Sequence, residues 1–172
     1  MEEQVDLGGI DRERGHPRAL KLVPDEFFWD CSDDLAPFGS DEGETALEEY
    51  RDWRRENPGE SLEECLVWTI EEVGEIDIAE YSDAIFDEHT VRAQMEDPDF
   101  DDQHLIFTTD TSVVATVFGQ LADEGMIEAA AKPYAARALR RLQVWARLQE
   151  DWDYADEYTG NLSRLQAVLE QA

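Results

Sequence analysis

Basic residues are scarce in this chain. It carries 14 Lys and Arg against 43 Asp and Glu, a formal net charge of −29 over 172 residues, and two of the 14 are lysine. Between positions 56 and 110, eighteen acids share the sequence with one base, Arg92. Such a surface disfavours direct contact with phosphate backbones and anionic membranes, because both are negative. Cysteine is rare as well. Cys31 and Cys65 stand at no metal-ligand spacing, so reduced, buried thiols are the expected state and one disulfide is the alternative. No run approaches the roughly 18 apolar residues of a membrane span. Residues 1–15 lack the apolar centre of a signal peptide, which makes a cytoplasmic location the expectation.

What the chain does have is material for a core. Apolar residues make up 42%, with five Trp, seven Phe and five Tyr, and disordered acidic chains are poor in such rings. A chain of this length buries about 70% of its unfolded surface and reads as one domain.

The charge is unevenly spread. Residues 1–110 hold 34 acids and 8 bases, residues 111–172 hold 9 and 6. Lys132, Arg137, Arg140, Arg141 and Arg147 form a stretch with no acid between them. Self-repulsion of this size destabilises a compact state unless salt or an opposing charge relieves it. A high-salt environment, plain solubility and mimicry of nucleic-acid phosphates each account for the acidity, the first two ahead of the third. The arginines fall at helical spacings, so they either clamp the acidic half of the molecule or dock an acidic partner.

Apolar periodicity points to helices. His16-Pro17 opens a short turn that Pro24 ends. Ser40 caps a helix carrying Ala46, Leu47, Tyr50 and Trp53, and Asn57-Pro58-Gly59 stops it. Ser61-x-x-Glu64 starts another, with Leu62, Cys65, Leu66 and Ile70 on one face and Gly74 as its cap. These two read as an αα-hairpin. Residues 75–110 read as loop and short helix, with Leu105-Ile106-Phe107 as one brief strand. Asp110 or Thr111 caps an apolar, central helix to Gly125. Pro133 starts a helix whose period continues through Trp152, and Thr159-Gly160-Asn161 separates it from a last one. The expected class is all-α, with one short strand at most. It is a compact, irregular bundle of about five to seven helices, with residues 1–15 as a tail and 16–172 as a single helical domain.

Sites are harder to find. Asp97, Asp99 and Asp101, followed by His104, resemble the start of a calcium loop. Positions six and twelve are Asp102 and Thr108, where such a loop needs Gly and Glu. A divalent-ion site at Asp97, Asp99, Asp101 and His104 is the most this cluster supports, and a solvated loop is the plainer account. The three His stand far apart, and there is no Gly-x-Ser-x-Gly and no phosphate-cradling loop. Phe27-Phe28-Trp29 and Phe38 are either core or the walls of a groove.

Four segments together resemble the bacterial YfeS-type family, whose function is uncharacterised: His16-Pro-Arg-Ala-Leu-Lys-Leu22, Phe27-Phe28-Trp29, Ala36-Pro-Phe-Gly-Ser-Asp-Glu-Gly43 and Tyr50-Arg-Asp-Trp-Arg-Arg-Glu-Asn57. The likeness covers about the first third of the chain after the tail, with a looser one near residues 110–125. Some relatives are associated with a WGR module, which implies nucleic-acid contexts, but no Trp-Gly-Arg occurs here. The resemblance implies no catalytic residue.

The reading that follows is a protein without evident catalytic activity or cofactor. It acts through contact with an unknown protein partner, and Arg137, Arg140, Arg141, Arg147, Trp29 and Phe38 are the candidate contact residues. Two alternatives stand beside it: a nucleic-acid mimic that blocks a DNA-binding protein, and a metal-assisted hydrolase built on the Asp97–His104 cluster.

Overall fold

The computed structural model describes residues 10–172. Among these, seven α-helices and several short 3-10 and π turns make an all-α bundle without a strand. The helices are α1 (Pro17–Leu22), α2 (Asp41–Glu56), α3 (Leu62–Trp68), α4 (Glu88–Glu96), α5 (Thr109–Glu124), α6 (Lys132–Leu148) and α7 (Ala155–Gln171).

α5 is the axis of the fold. Every residue from Thr109 to Ala122 is buried, the apolar ones together with Thr109, Asp110, Thr111, Ser112, Thr116 and Gln120. With the π turn Gln103–Thr108 before it, the helical run Gln103–Glu124 is long and apolar enough to cross a bilayer. Of its most apolar window 83% is buried inside the molecule, the position of a central core helix. α2 lies along α5 at Gly119, where an added Cβ would come within 2.9 Å of Leu47 Cδ1. Gly125 ends α5 in the left-handed conformation (φ 78°), and Arg18 Nη1 donates to its carbonyl at 2.7 Å. That places a cation at the negative end of the helix.

Local signals explain most boundaries. Ser40 Oγ accepts from the Gly43 N–H at 3.1 Å, starting α2 as its sequence requires. Pro133 sits in the first turn of α6, where its missing N–H costs nothing. α6 and α7 then pair, and α6 also packs on α5, so the three form one side of the bundle.

Several expectations need correction. Leu105-Ile106-Phe107 is not a strand but part of the π turn Gln103–Thr108. α2 and α3 do not form a hairpin pair; α2 packs chiefly onto α5, and α3 onto the π turn Thr69–Val73 that continues it and the 3-10 turn Ala129–Ala131. The break between α6 and α7 lies at Gln149–Tyr154, and Thr159-Gly160-Asn161 is continuous helix within α7. Gly160 is exposed with no neighbour near its Cα hydrogens, so nothing there forces a turn. Of the expected tail, residues 1–9 lie outside the described residues. Ile10 is in the core, and Arg12–Arg14 forms a 3-10 turn held by Arg12 Nη2 on the Pro24 carbonyl. Cys31 and Cys65 are free thiols, Cys31 exposed and Cys65 buried, so only Cys65 fits the expected buried state.

Candidate functional site

The basic helix is largely spent inside the molecule. Arg141 is 2% exposed and Asp110 is fully buried. The guanidinium grips both carboxylate oxygens, Nε to Oδ2 at 2.6 Å and Nη2 to Oδ1 at 2.8 Å, and Nη2 also donates to the Leu105 carbonyl at 3.0 Å. The Tyr81 hydroxyl gives Asp110 a third donor at 2.8 Å, and its ring faces the guanidinium. Burial pushes the Asp110 carboxyl up and Arg141 pulls it back, while burial raises the Tyr81 phenol far above its ordinary value. The cluster ties α6, α5 and the turn before α4 together. Asp110 is thus an interior helix residue and not the cap that its position before an apolar run implies.

The other candidate arginines divide. Arg137 Nε donates to Asp83 at 2.9 Å, a second contact between α6 and the acidic half. Arg140 lies over the Phe86 ring at 5.3 Å, and Arg147 Nε donates to the Gln143 carbonyl at 3.3 Å; both are exposed. Arg141 is therefore corrected from contact residue to core residue. The same correction applies to Trp29, 7% exposed with Nε1 bonded to the Val23 carbonyl, and to Phe38, 0% exposed. Phe28 stacks edge-on to both rings and to Phe118, which makes this cluster part of the core under α5.

The metal candidates are not brought together. Asp97 Oδ1 accepts from the Asp99 N–H and Asp101 Oδ1 from the His104 N–H, so each carboxylate turns back on its own loop. His104 Nε2 stands 3.3 Å from Glu75 instead. Among the described residues no group of three or more His, Cys, Asp or Glu has the geometry to hold a metal ion.

The site that the structure does assemble is a cleft of about 850 Å³ beside the α6–α7 turn. One wall is the Ser32–Leu35 loop, fixed to α7 by Asn161 Nδ2 on the Leu35 carbonyl at 3.2 Å. The other is the turn Gln149–Tyr154, in which Asp151 takes the left-handed conformation (φ 58°). Asp tolerates that conformation better than most residues. Phe107, Trp145, Trp152 and Tyr158 run between them in a chain of ring contacts at 5.5, 6.1 and 5.3 Å. Tyr154, 59% exposed, adds a fifth ring at the mouth. Trp145 Nε1 donates to Asp102 at 2.7 Å, which fixes its indole.

Asp33, Asp34, Glu150, Asp151 and Glu157 give the lining its charge; Gln103 also lines it, and it contains no Lys, Arg or His. Burial, reinforced by the Asp110 carboxylate, raises the Tyr158 phenol, so it stays a neutral hydroxyl. Chemically, the cleft brings aromatic rings and negative charge together, the combination that attracts a cation and its apolar stem.

Sequence reasoning missed the cleft and the buried pair. One signal for the pair was present: Arg141 lies between Ala138 and Trp145 on the apolar stripe of its helix. The cleft had no such mark, because its walls come from three separated segments.

No family model, curated protein or solved structure matches the chain.

Proposed function

We propose that this protein is a non-enzymatic binding protein and that the cleft between the Ser32–Leu35 loop and the α6–α7 turn receives a basic segment of a protein partner. The observation that carries this reading is the lining itself: five aromatic rings and five carboxylates in one concavity, with no basic side chain among them. The rings supply contact area and the carboxylates supply sign, so a cationic side chain gains from both. Of the arginines first expected to meet a partner, Arg141 serves the interior and Arg137 pairs with Asp83, while Arg140 and Arg147 stay at the surface. A polybasic surface also suits the charge of the whole chain, since long-range attraction to −29 speeds encounter.

The long-range field and the specific cleft are separated by two variants of equal charge change. Glu157→Lys reverses a charge in the cleft, and Glu64→Lys reverses an exposed charge on α3 that does not line it. Titration with a synthetic peptide of alternating lysine and serine, followed by tryptophan fluorescence, is expected to show binding weakened by at least about tenfold in Glu157→Lys and only slightly in Glu64→Lys. Equal weakening by both variants would show that the cleft is not the site.

A further inference from the structure

Beside the cleft lies a void of about 20 Å³ whose lining is mostly apolar and includes Asp34, Leu35, Phe107, Thr111 and Tyr158. Four of these, Asp34, Leu35, Phe107 and Tyr158, also line the cleft, so the two spaces adjoin. Thr111 is 6% exposed, and its Oγ1 is buried without a hydrogen-bond partner; the Tyr158 phenol stands beside it without completing a well-formed bond. Buried hydroxyls are almost always satisfied, so an orphan beside an open cleft marks a place for a donor or acceptor from outside. The void has room for one group the size of a water molecule.

Those dimensions separate the biological cations. A guanidinium is a planar fork of five N–H donors, too broad for such a space. A trimethylammonium is broader still and has no hydrogen to give. A primary ammonium is compact and carries three donors.

Resting on the reading of the cleft as a cation-binding groove, we propose that it selects an unmodified lysine side chain, with the ammonium seated against Thr111 Oγ1 and Asp34 and the four-carbon stem along Phe107 and Tyr158. The hydroxyl then gains the partner that the fold withholds. Asp34, exposed at the rim and lining both spaces, keeps a carboxylate near the charge. The neutral Tyr158 hydroxyl supplies a second acceptor, which discriminates between donating and non-donating cations without adding charge.

Three serine-glycine peptides identical but for a central lysine, arginine or trimethyllysine test this by isothermal calorimetry. The wild-type protein is expected to bind the lysine peptide about tenfold more tightly than the other two, the worth of a hydrogen bond to a charged group. Thr111→Val removes the hydroxyl at nearly constant volume and is expected to abolish that preference, while Thr111→Ser keeps it. Equal affinity of the wild type for the three peptides overturns the assignment, as does a lysine preference that survives in Thr111→Val. Should Thr111→Val not fold, the wild-type ranking and Thr111→Ser decide alone. Glu157→Lys separates the two levels. If it weakens all three peptides but none is preferred, only the lysine assignment fails; if it weakens none, the cleft reading fails with it.

Discussion

Arg141 and Asp110, 31 positions apart, form a bidentate ion pair in the centre of the bundle, and neither is more than 2% exposed. A charged pair placed there is stable only as a pair, because either partner alone would be a buried charge with nothing to meet it. The arginine-rich helix is consequently a structural fastener along its Arg137 and Arg141 side. Arg140 and Arg147 are the members of that set left at the surface.

Removing one partner should therefore be severe. Arg141→Ala and Asp110→Ala are each expected to lower unfolding free energy by about 3–5 kcal/mol. Arg140→Ala, at an exposed site over Phe86, is expected to cost under about 1 kcal/mol. Urea denaturation of the three variants checks this. The double replacement Arg141→Met with Asp110→Leu should recover much of the loss, since it leaves no orphan charge.

The two thiols should differ sharply. Cys31 is exposed, whereas burial pushes the Cys65 thiol up to about 11. The thiolate is the reactive form, so at pH 8 a chromogenic disulfide reagent is expected to titrate one thiol quickly in the native protein and two in denaturant. Two fast thiols in native buffer would contradict the burial of Cys65.

Gly160 occupies an exposed interior position of α7, and an added Cβ would meet nothing within 4 Å. Gly160→Ala is expected to raise stability by roughly 0.5–1 kcal/mol through helix propensity and reduced freedom of the unfolded chain. Thermal unfolding followed by circular dichroism reads the change. A loss of stability would place the α6–α7 break at Gly160 after all.

This last case shows where sequence reasoning reaches its limit. Ser40, Pro133 and Gly125 were legible because capping and helix-end chemistry act within a few residues. The buried status of α5 was legible from its apolar residues at helical spacing and the near absence of charge before Asp123. Gly160 misled because an exposed helix tolerates a glycine at about 1 kcal/mol when packing of Tyr158, Leu162 and Leu165 holds the element in place. Asp110 misled for a related reason: before an apolar run an Asp looks like a cap, and only the tertiary fold brings Arg141 to it. Leu105–Phe107 looked extended because three apolar residues in a row carry no period.

Acid should weaken the link between α7 and the N-terminal segment. The Arg164 hydrogen bonds, at 2.9 and 3.0 Å, hold the Asp25 carboxyl below its ordinary value, against an opposing effect of burial. A depressed folded-state pKa contributes stability in full above the unfolded value, near pH 4, and that contribution is lost as pH falls through the folded value. The difference in urea midpoint between wild type and Asp25→Asn is thus expected to be constant from pH 7 to about 5 and to shrink below about 4. Taking the difference cancels the general relief of self-repulsion on acidification. A difference that does not shrink would show that the pair adds no stability.

Trp145 and Trp152 line the cleft that would receive the basic segment, so the indole N–H signals of the five tryptophans report directly on its occupation. In a ¹H–¹⁵N titration with the lysine peptide at physiological ionic strength, the Trp145 and Trp152 indole signals are expected to move. Those of Trp29 in the core and Trp68 on α3 should stay in place. Movement spread over backbone amides of the acidic stretch 56–110, with the Trp145 and Trp152 indoles unmoved, would show that the peptide is held by the general field of the molecule and not by the cleft.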